Sequence, residues 1–160
     1  MNTFGNRLRF TTFGESHGSQ IGVVIDGLPA GIRFDIDFIQ NEMNRRKPGG
    51  KYSTKRKEED KIEVISGVFE GFTTGTSLTM IIKNTNQKSS DYEQIKQIYR
   101  PGHADYTYMA KYSIRDYKGG GRSSARETAL RVASGAVAKL ILNELGIEVT
   151  SGLYSMGKIK

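Results

Sequence analysis

An α+β fold is the expectation from this sequence. It carries short β-branched runs bounded by glycine turns, and long stretches with apolar residues at helical spacing. The two kinds of segment do not alternate regularly as strand, helix, strand. In chain order, residues 8–13 and Gln20–Asp26 read as strands; the second (QIGVVID) is β-branched and ends in a Gly-Leu-Pro-Ala-Gly turn. Asp35 or Asp37 caps a helix with Ile36, Ile39 and Met43 at helical spacing, which stops before Pro48-Gly49-Gly50. Residues 62–70 and 78–82 read as strands joined through a turn at 71–75, as a hairpin or meander. Ser90 or Asp91 opens a helix carrying Tyr92, Ile95 and Ile98 that ends at Arg100-Pro101-Gly102, and a short helical stretch covers 104–112. Ser124-Ala125-Arg126-Glu127 is a capping box opening the longest helix. Ala129, Val132, Ala133, Ala136, Val137, Leu140 and Ile141 form its apolar stripe, with Gly146 at the C′ position. A further strand starts over 147–149. No repeat, low-complexity run or interdomain linker interrupts 1–160.

The 160 residues suffice for one domain with a real core. With no cysteine there is no disulfide, thiolate nucleophile or Cys-ligated zinc, and no metal site is expected. No apolar run approaches the ~18 residues of a spanning helix, and residues 1–9 lack a basic-then-apolar secretory pattern. A cytoplasmic protein is the expectation. Two features stand out: 19 glycines and a net charge of +7, which predicts an anionic partner.

The glycines and cations coincide. Both histidines have small or glycine neighbours: His17 in Gly14-Glu15-Ser16-His17-Gly18, His103 in Arg100-Pro101-Gly102-His103-Ala104-Asp105. Imidazole titrates near physiological pH, so these are candidate proton-transfer groups or, equally, hydrogen-bonded structural histidines. GESHG also matches the G-x-S-x-G nucleophile elbow, but the elbow needs a helix after the turn and QIGVVID reads as strand. In Gly119–Arg126 (GGGRSSAR) a glycine run enters a helix N-terminus, where free N–H groups attract anions. Ser123 and Ser124 add hydroxyls there, and Arg122 and Arg126 add guanidinium forks. A helix cap with a flexible lead-in is the plainer alternative. Residues 45–57 (RRKPGGKYSTKRK) hold seven cations and no acid. They read as a solvated surface, a single-strand nucleic-acid contact through Tyr52, or a lid over a multiply charged ligand.

Taken together, GESHG with IGVVIDGLPAG, NRRKPGG, SGVFEGFTTGTS, RPGHADYTY and GRSSARETALRVASGAV resemble, in this order, the N-terminal part of the bacterial chorismate synthase family. The resemblance implies antiparallel sheets packed with helices, a β-α-β sandwich of which these residues are one portion of a single domain. It implies a lyase of the shikimate pathway of aromatic amino acid biosynthesis, performing 1,4-anti elimination of phosphate from 5-enolpyruvylshikimate-3-phosphate to give chorismate. Reduced FMN is required without net redox change, and NADPH is a candidate flavin reductant. A homotetramer is implied for the full-length protein, with no nucleic-acid or membrane partner.

By motif match, His17 resembles the family histidine against the flavin and His103 the one near the substrate phosphate, the two catalytic candidates. Arg46, Lys51, Arg100 and Arg126 match substrate-binding positions. Arg46, Arg122, Ser123 and Ser124 match cofactor-binding ones. Lys51 stands where many members carry arginine, after a one-residue shortening, and lysine cannot supply the bidentate fork. Family chains continue about as far again, so these residues are expected to be a fragment holding both histidines but an incomplete FMN site. A phosphate- or nucleic-acid-binding module without catalysis is the alternative from another class.

Overall fold

The computed structural model of the protein describes residues 2–47, 59–85 and 96–159. Its centre is a five-stranded sheet built from β1 (Thr3–Gly5), β2 (Arg9–Phe13), β3 (Gln20–Asp26), β4 (Ile62–Ser66) and β7 (Leu78–Lys83), in the order β1-β2-β3-β7-β4. Every pairing is antiparallel. Val68–Phe69 (β5) and Phe72–Thr73 (β6) form a small separate hairpin between β4 and β7. Three helices complete the fold: α1 (Ile36–Arg46), α2 (Asp105–Tyr112) and α3 (Thr128–Glu144). The α+β expectation and the antiparallel pairing that the resemblance implied are both met.

Alternation along the strands decides where the core sits. Ile21, Val23 and Ile25 of β3 and Leu78, Met80 and Ile82 of β7 project to one face. There they meet Ile39 and Met43 of α1 and Ala129, Leu130, Ala133, Ala136 and Val137 of α3. The alanines let α3 come close to both the sheet and α1. On the opposite face the ring of Phe13 lies over Gly22, where any side chain would collide with it.

The helix termini follow their local chemistry. Asp35 accepts the Phe38 N–H at 2.9 Å through Oδ1 and is therefore the cap of α1. Gly146 closes α3 at φ +69°, with its N–H on the Asn143 carbonyl and the Ile147 N–H on that of Leu142, a Schellman closure.

Several sequence expectations are corrected. The strand over 62–70 is broken at Gly67, whose φ of +85° and contact with the Leu78 backbone turn the chain out of the ladder. Residues 147–149 pair with no strand, because the Ile147 N–H turns back onto the end of α3. The capping box is half realised. Ser124 Oγ caps a 3₁₀ turn at Ala125–Glu127 rather than α3 itself, while the Glu127 carboxylate accepts from Thr12 Oγ1 and Arg131 Nε. The helix expected from Ser90 or Asp91, with Tyr92 and Ile95, begins outside the described residues, and 96–98 form a turn. Pro48-Gly49-Gly50 and Lys51 also lie outside them.

Candidate functional site

Sheet register gathers the motifs at one end of the fold. GESHG is the loop of the β2–β3 hairpin, and the pairing of Gln20 with Lys83 sets the next residue, Asn84, against that loop. The pairing of Ile62 with Ile82 brings the entry to β4, and with it Asp60, to the same edge. The end of α1 supplies Arg46, and the turn before α3 supplies Arg126.

Asp60 and Asn84 tie these parts together. The Asp60 side chain is 1% exposed and takes one guanidinium on each oxygen: Arg126 Nη1 donates to Oδ1 at 2.7 Å, and Arg46 Nη2 donates to Oδ2. Arg126 Nε donates to Asn84 Oδ1 at 2.6 Å. Asn84 Nδ2 donates in turn to the carbonyls of Glu15 and Gly18, at 3.0 and 2.8 Å. A continuous chain of polar contacts thus joins Arg46 to the histidine loop.

His17 stands on that loop, half-buried against the glycine run. A Cβ on Gly119 would overlap its ring. Ser16 Oγ donates to the Gly119 carbonyl at 3.3 Å and lies 3.1 Å from His17 Nδ1. With its only proton directed at a carbonyl, Ser16 accepts from Nδ1–H, which leaves Nε2 as the basic nitrogen of His17. The same polarity weighs against Ser16 as a nucleophile, since His17 is not accepting its proton. GESHG also lies between two strands instead of leading into a helix, so the elbow reading falls.

His103 is exposed and its Nδ1 donates to the Pro101 carbonyl at 3.0 Å, again leaving Nε2 basic. The neighbouring Arg100 forms a two-pronged pair with Asp105, Nε to Oδ2 at 2.8 Å and Nη2 to Oδ1 at 3.0 Å. Arg115 Nη1 reaches the same carboxylate at 3.1 Å. These guanidiniums, Arg100 foremost, hold the Asp105 carboxyl far below the usual carboxylate range. Arg100 Nη2 lies 3.6 Å from the position of a Cβ on Gly120, so the His103 segment adjoins the glycine run next to His17. Two arginines share Asp60 and two share Asp105, which makes each carboxylate the centre of a guanidinium cluster.

The GGGRSSAR segment differs from the open anion cradle that its sequence suggests. Arg122 donates to the carbonyls of Gly14 and Thr12, at 3.2 and 3.1 Å, and to Thr12 Oγ1, fastening the segment to the β2 end. The Glu15 carboxylate lies against Gly121, where a Cβ would meet its Oε2. Burial, and after it the nearby Asp116 carboxylate, push the Glu15 carboxyl up, while Arg122 offsets part of the rise. Ser123 is exposed, with Oγ on the Gly120 carbonyl at 2.7 Å. A 420 Å³ cavity beside this corner is lined by Tyr108, Tyr112, Arg115, Asp116, Gly120 and Arg122, among others.

His17, Arg46, Arg100, Arg122, Ser123, Ser124 and Arg126 are thus linked through neighbouring contacts, with His103 at the margin. Asp60, Asn84 and Asp105 were absent from the candidate set. The available signal for Asp60 was a surplus of arginines expected at one site without a carboxylate to organise them. Among the described residues no helix is long and apolar enough to cross a membrane, and no His, Asp and Glu cluster could hold a metal ion.

Comparison with known proteins bears on the same residues. The chorismate synthase family model matches residues 8–160. The chain is 61% identical over 160 residues to a chorismate synthase of Campylobacter fetus subsp. fetus and 65% identical over 161 residues to one of Aliarcobacter butzleri. Each alignment covers 100% of this chain and 45% of the relative. Among solved structures, a crystal structure of chorismate synthase superimposes with a TM-score of 0.65 at 36% identity, covering 88% of this chain and 36% of that one. The chain therefore spans about half the length of the curated relatives it matches.

Proposed function

The chain belongs to the chorismate synthase family, and from that premise we propose that its residues furnish the imidazole and arginine side of an active site that removes phosphate from 5-enolpyruvylshikimate-3-phosphate. The product is chorismate, formed by 1,4-anti elimination. In this reading 1–160 is the N-terminal portion of one domain of a cytoplasmic homotetramer. The observation that carries the reading is the convergence of the His17 loop, Arg126 and Arg46 on one edge of the sheet through Asp60 and Asn84.

The substrate carries a phosphate and two carboxylates. The two clusters, two arginines to each carboxylate, set guanidiniums in fixed positions to receive them. Arg46, Arg100, Arg126 and Lys51 are the substrate contacts in this proposal. His103 keeps Nδ1–H on the Pro101 carbonyl and, in its imidazolium form, donates the Nε2 proton to the departing phosphate.

The donor set also fits a phosphate-bearing planar cofactor. Gly119 and Gly120 present bare backbone, the Ser123 side chain is exposed, and His17 stands over the glycines. When bound there, reduced FMN supplies electron density as the C–O bond to phosphate breaks. His17 would orient the flavin ring and, with Nδ1–H on Ser16, turn Nε2 to it as a hydrogen-bond acceptor. Ser123 and Ser124 border its phosphate, with Arg46 contributing charge and Arg122 holding the segment to β2. NADPH would be the reductant of such a flavin.

The test uses the full-length protein with 5-enolpyruvylshikimate-3-phosphate and reduced FMN under anaerobic conditions, following phosphate and chorismate together. Equal amounts of the two products are expected. Absence of both overturns the proposal. No observation favours the nucleic-acid-binding alternative, and strongly salt-dependent oligonucleotide binding is not expected.

A further inference from the structure

The position of Asp60 has a significance beyond ion pairing. Its carboxylate is enclosed, and its two oxygens are divided between guanidiniums from different elements, one ending α1 and one preceding α3. Its backbone is held at φ +45°, a left-handed corner just before β4. Gln40 of α1 clasps that corner from both sides: Nε2 donates to the Asp60 carbonyl at 3.2 Å, and Oε1 accepts from the Ile62 N–H at 3.1 Å. A surface ion pair needs none of this construction.

We infer that Asp60 is a positioning residue for anion recognition. It holds Arg46 and Arg126 side by side, so that an arriving phosphate or carboxylate meets guanidiniums that are already placed. This inference rests on the proposed substrate role of those two arginines. The physical basis is pre-organisation. A guanidinium already fixed by a buried carboxylate loses little freedom when an anion arrives, whereas a free arginine loses much more. Asn84 continues the same arrangement by fixing Arg126 Nε.

The inference separates charge from placement. Asp60→Asn keeps the size of the side chain and tolerates the left-handed corner, while it removes the carboxylate shared by the two forks. Were electrostatic attraction alone at work, deleting a negative charge would strengthen anion binding. If placement governs, binding weakens. The predicted direction therefore opposes the simple charge argument.

In the full-length protein, D60N is expected to raise KM for 5-enolpyruvylshikimate-3-phosphate about tenfold while kcat falls by less than about threefold. In an Arg126→Lys background, where the fork is already gone, D60N is expected to raise KM by less than about threefold. An unchanged or lowered KM in D60N overturns the inference, as does an equal rise in both backgrounds. A wild-type protein that turns over no substrate sinks the functional reading instead. The inference is then judged by NMR of arginine-labelled protein, where a slowly exchanging Nη–H signal of Arg126, from the nitrogen bonded to Asp60, is expected in the wild type and lost in D60N. Its persistence in D60N overturns the inference irrespective of activity. Should D60N not fold, Gln40→Ala loosens the same corner and is expected to raise KM about threefold; an unaltered KM and Arg126 Nη–H signal overturns the inference.

Discussion

The imidazole of His17 occupies the space that a side chain on Gly119 would need: a Cβ there would fall within the ring, nearest Cε1 and Nδ1. Gly119 also sits at φ +66°, where L-residues are strained. Gly119→Ala therefore combines two conflicts, and the ring is the part able to move. In the full-length protein this substitution is expected to lower turnover by about a hundredfold and to cost about 1–3 kcal/mol of stability. Steady-state kinetics with thermal unfolding checks both effects. Wild-type turnover in a folded G119A protein would remove His17 from the site.

Much of this arrangement was legible in the sequence. QIGVVID declared β3 through β-branching, Asp35 declared the start of α1, and Gly146 declared the end of α3, because each is decided by chemistry within a few residues. The glycine-flanked His17 and the GGGRSSAR segment were visible for the same reason. Asp60 and Asn84 were not. Asp60 follows Glu58 and Glu59 and looks like one more solvated acid, and Asn84 looks like the polar end of a strand. Their roles arise only when β7 pairs with both β3 and β4, a register that no local pattern encodes. Arg122 is the reverse case. Its motif suggests an anion ligand, yet its fork is drawn to the carbonyls of Thr12 and Gly14 by a fold the motif cannot describe.

Asp105 gives the protein an acid-sensitive contact. Its carboxyl is held well below the ordinary range by Arg100 first, with Arg115 adding to the effect. A depressed folded-state value means that the contribution to stability is complete above the unfolded value, about 3.9, and is lost as pH falls below it. Asp105→Asn is expected to cost about 3 kcal/mol at neutral pH by removing the carboxylate that Arg100 and Arg115 share. It should also flatten the decline of stability below about pH 4. Urea denaturation across a pH series measures both.

Glu15 works in the opposite sense. Burial and the Asp116 carboxylate raise its folded-state value, with Arg122 as a partial counterweight. Folding then favours the protonated acid. Stability is highest below the unfolded value, about 4.3, and falls as pH rises through the folded one. Glu15→Gln keeps the size of the side chain but carries no charge, so it is expected to stabilise the protein at pH 7 and not at pH 4. Equal effects at the two pH values would show that the Glu15 carboxyl does not titrate abnormally.

Asn84 is the joint between the arginine cluster and the histidine loop, and its substitution tests whether the two halves depend on each other. The side chain makes three bonds: two donated to the carbonyls of Glu15 and Gly18, and one accepted from Arg126 Nε. Asn84→Ala removes all three bonds at a part-buried position, although the Glu15 carbonyl keeps the Gly18 N–H, and is expected to cost about 2–3 kcal/mol. Asn84→Asp keeps an acceptor for Arg126 but turns an oxygen toward the two carbonyls, so it releases the loop while leaving the arginine held. Both variants should shift the His17 imidazole resonances, because the ring is carried by the loop that Asn84 pins. Only N84A should alter the Arg126 Nε–H signal. Denaturation with NMR of labelled histidine and arginine reads these effects separately, and His17 resonances at wild-type positions in both variants would mean that the loop holds its shape without the joint.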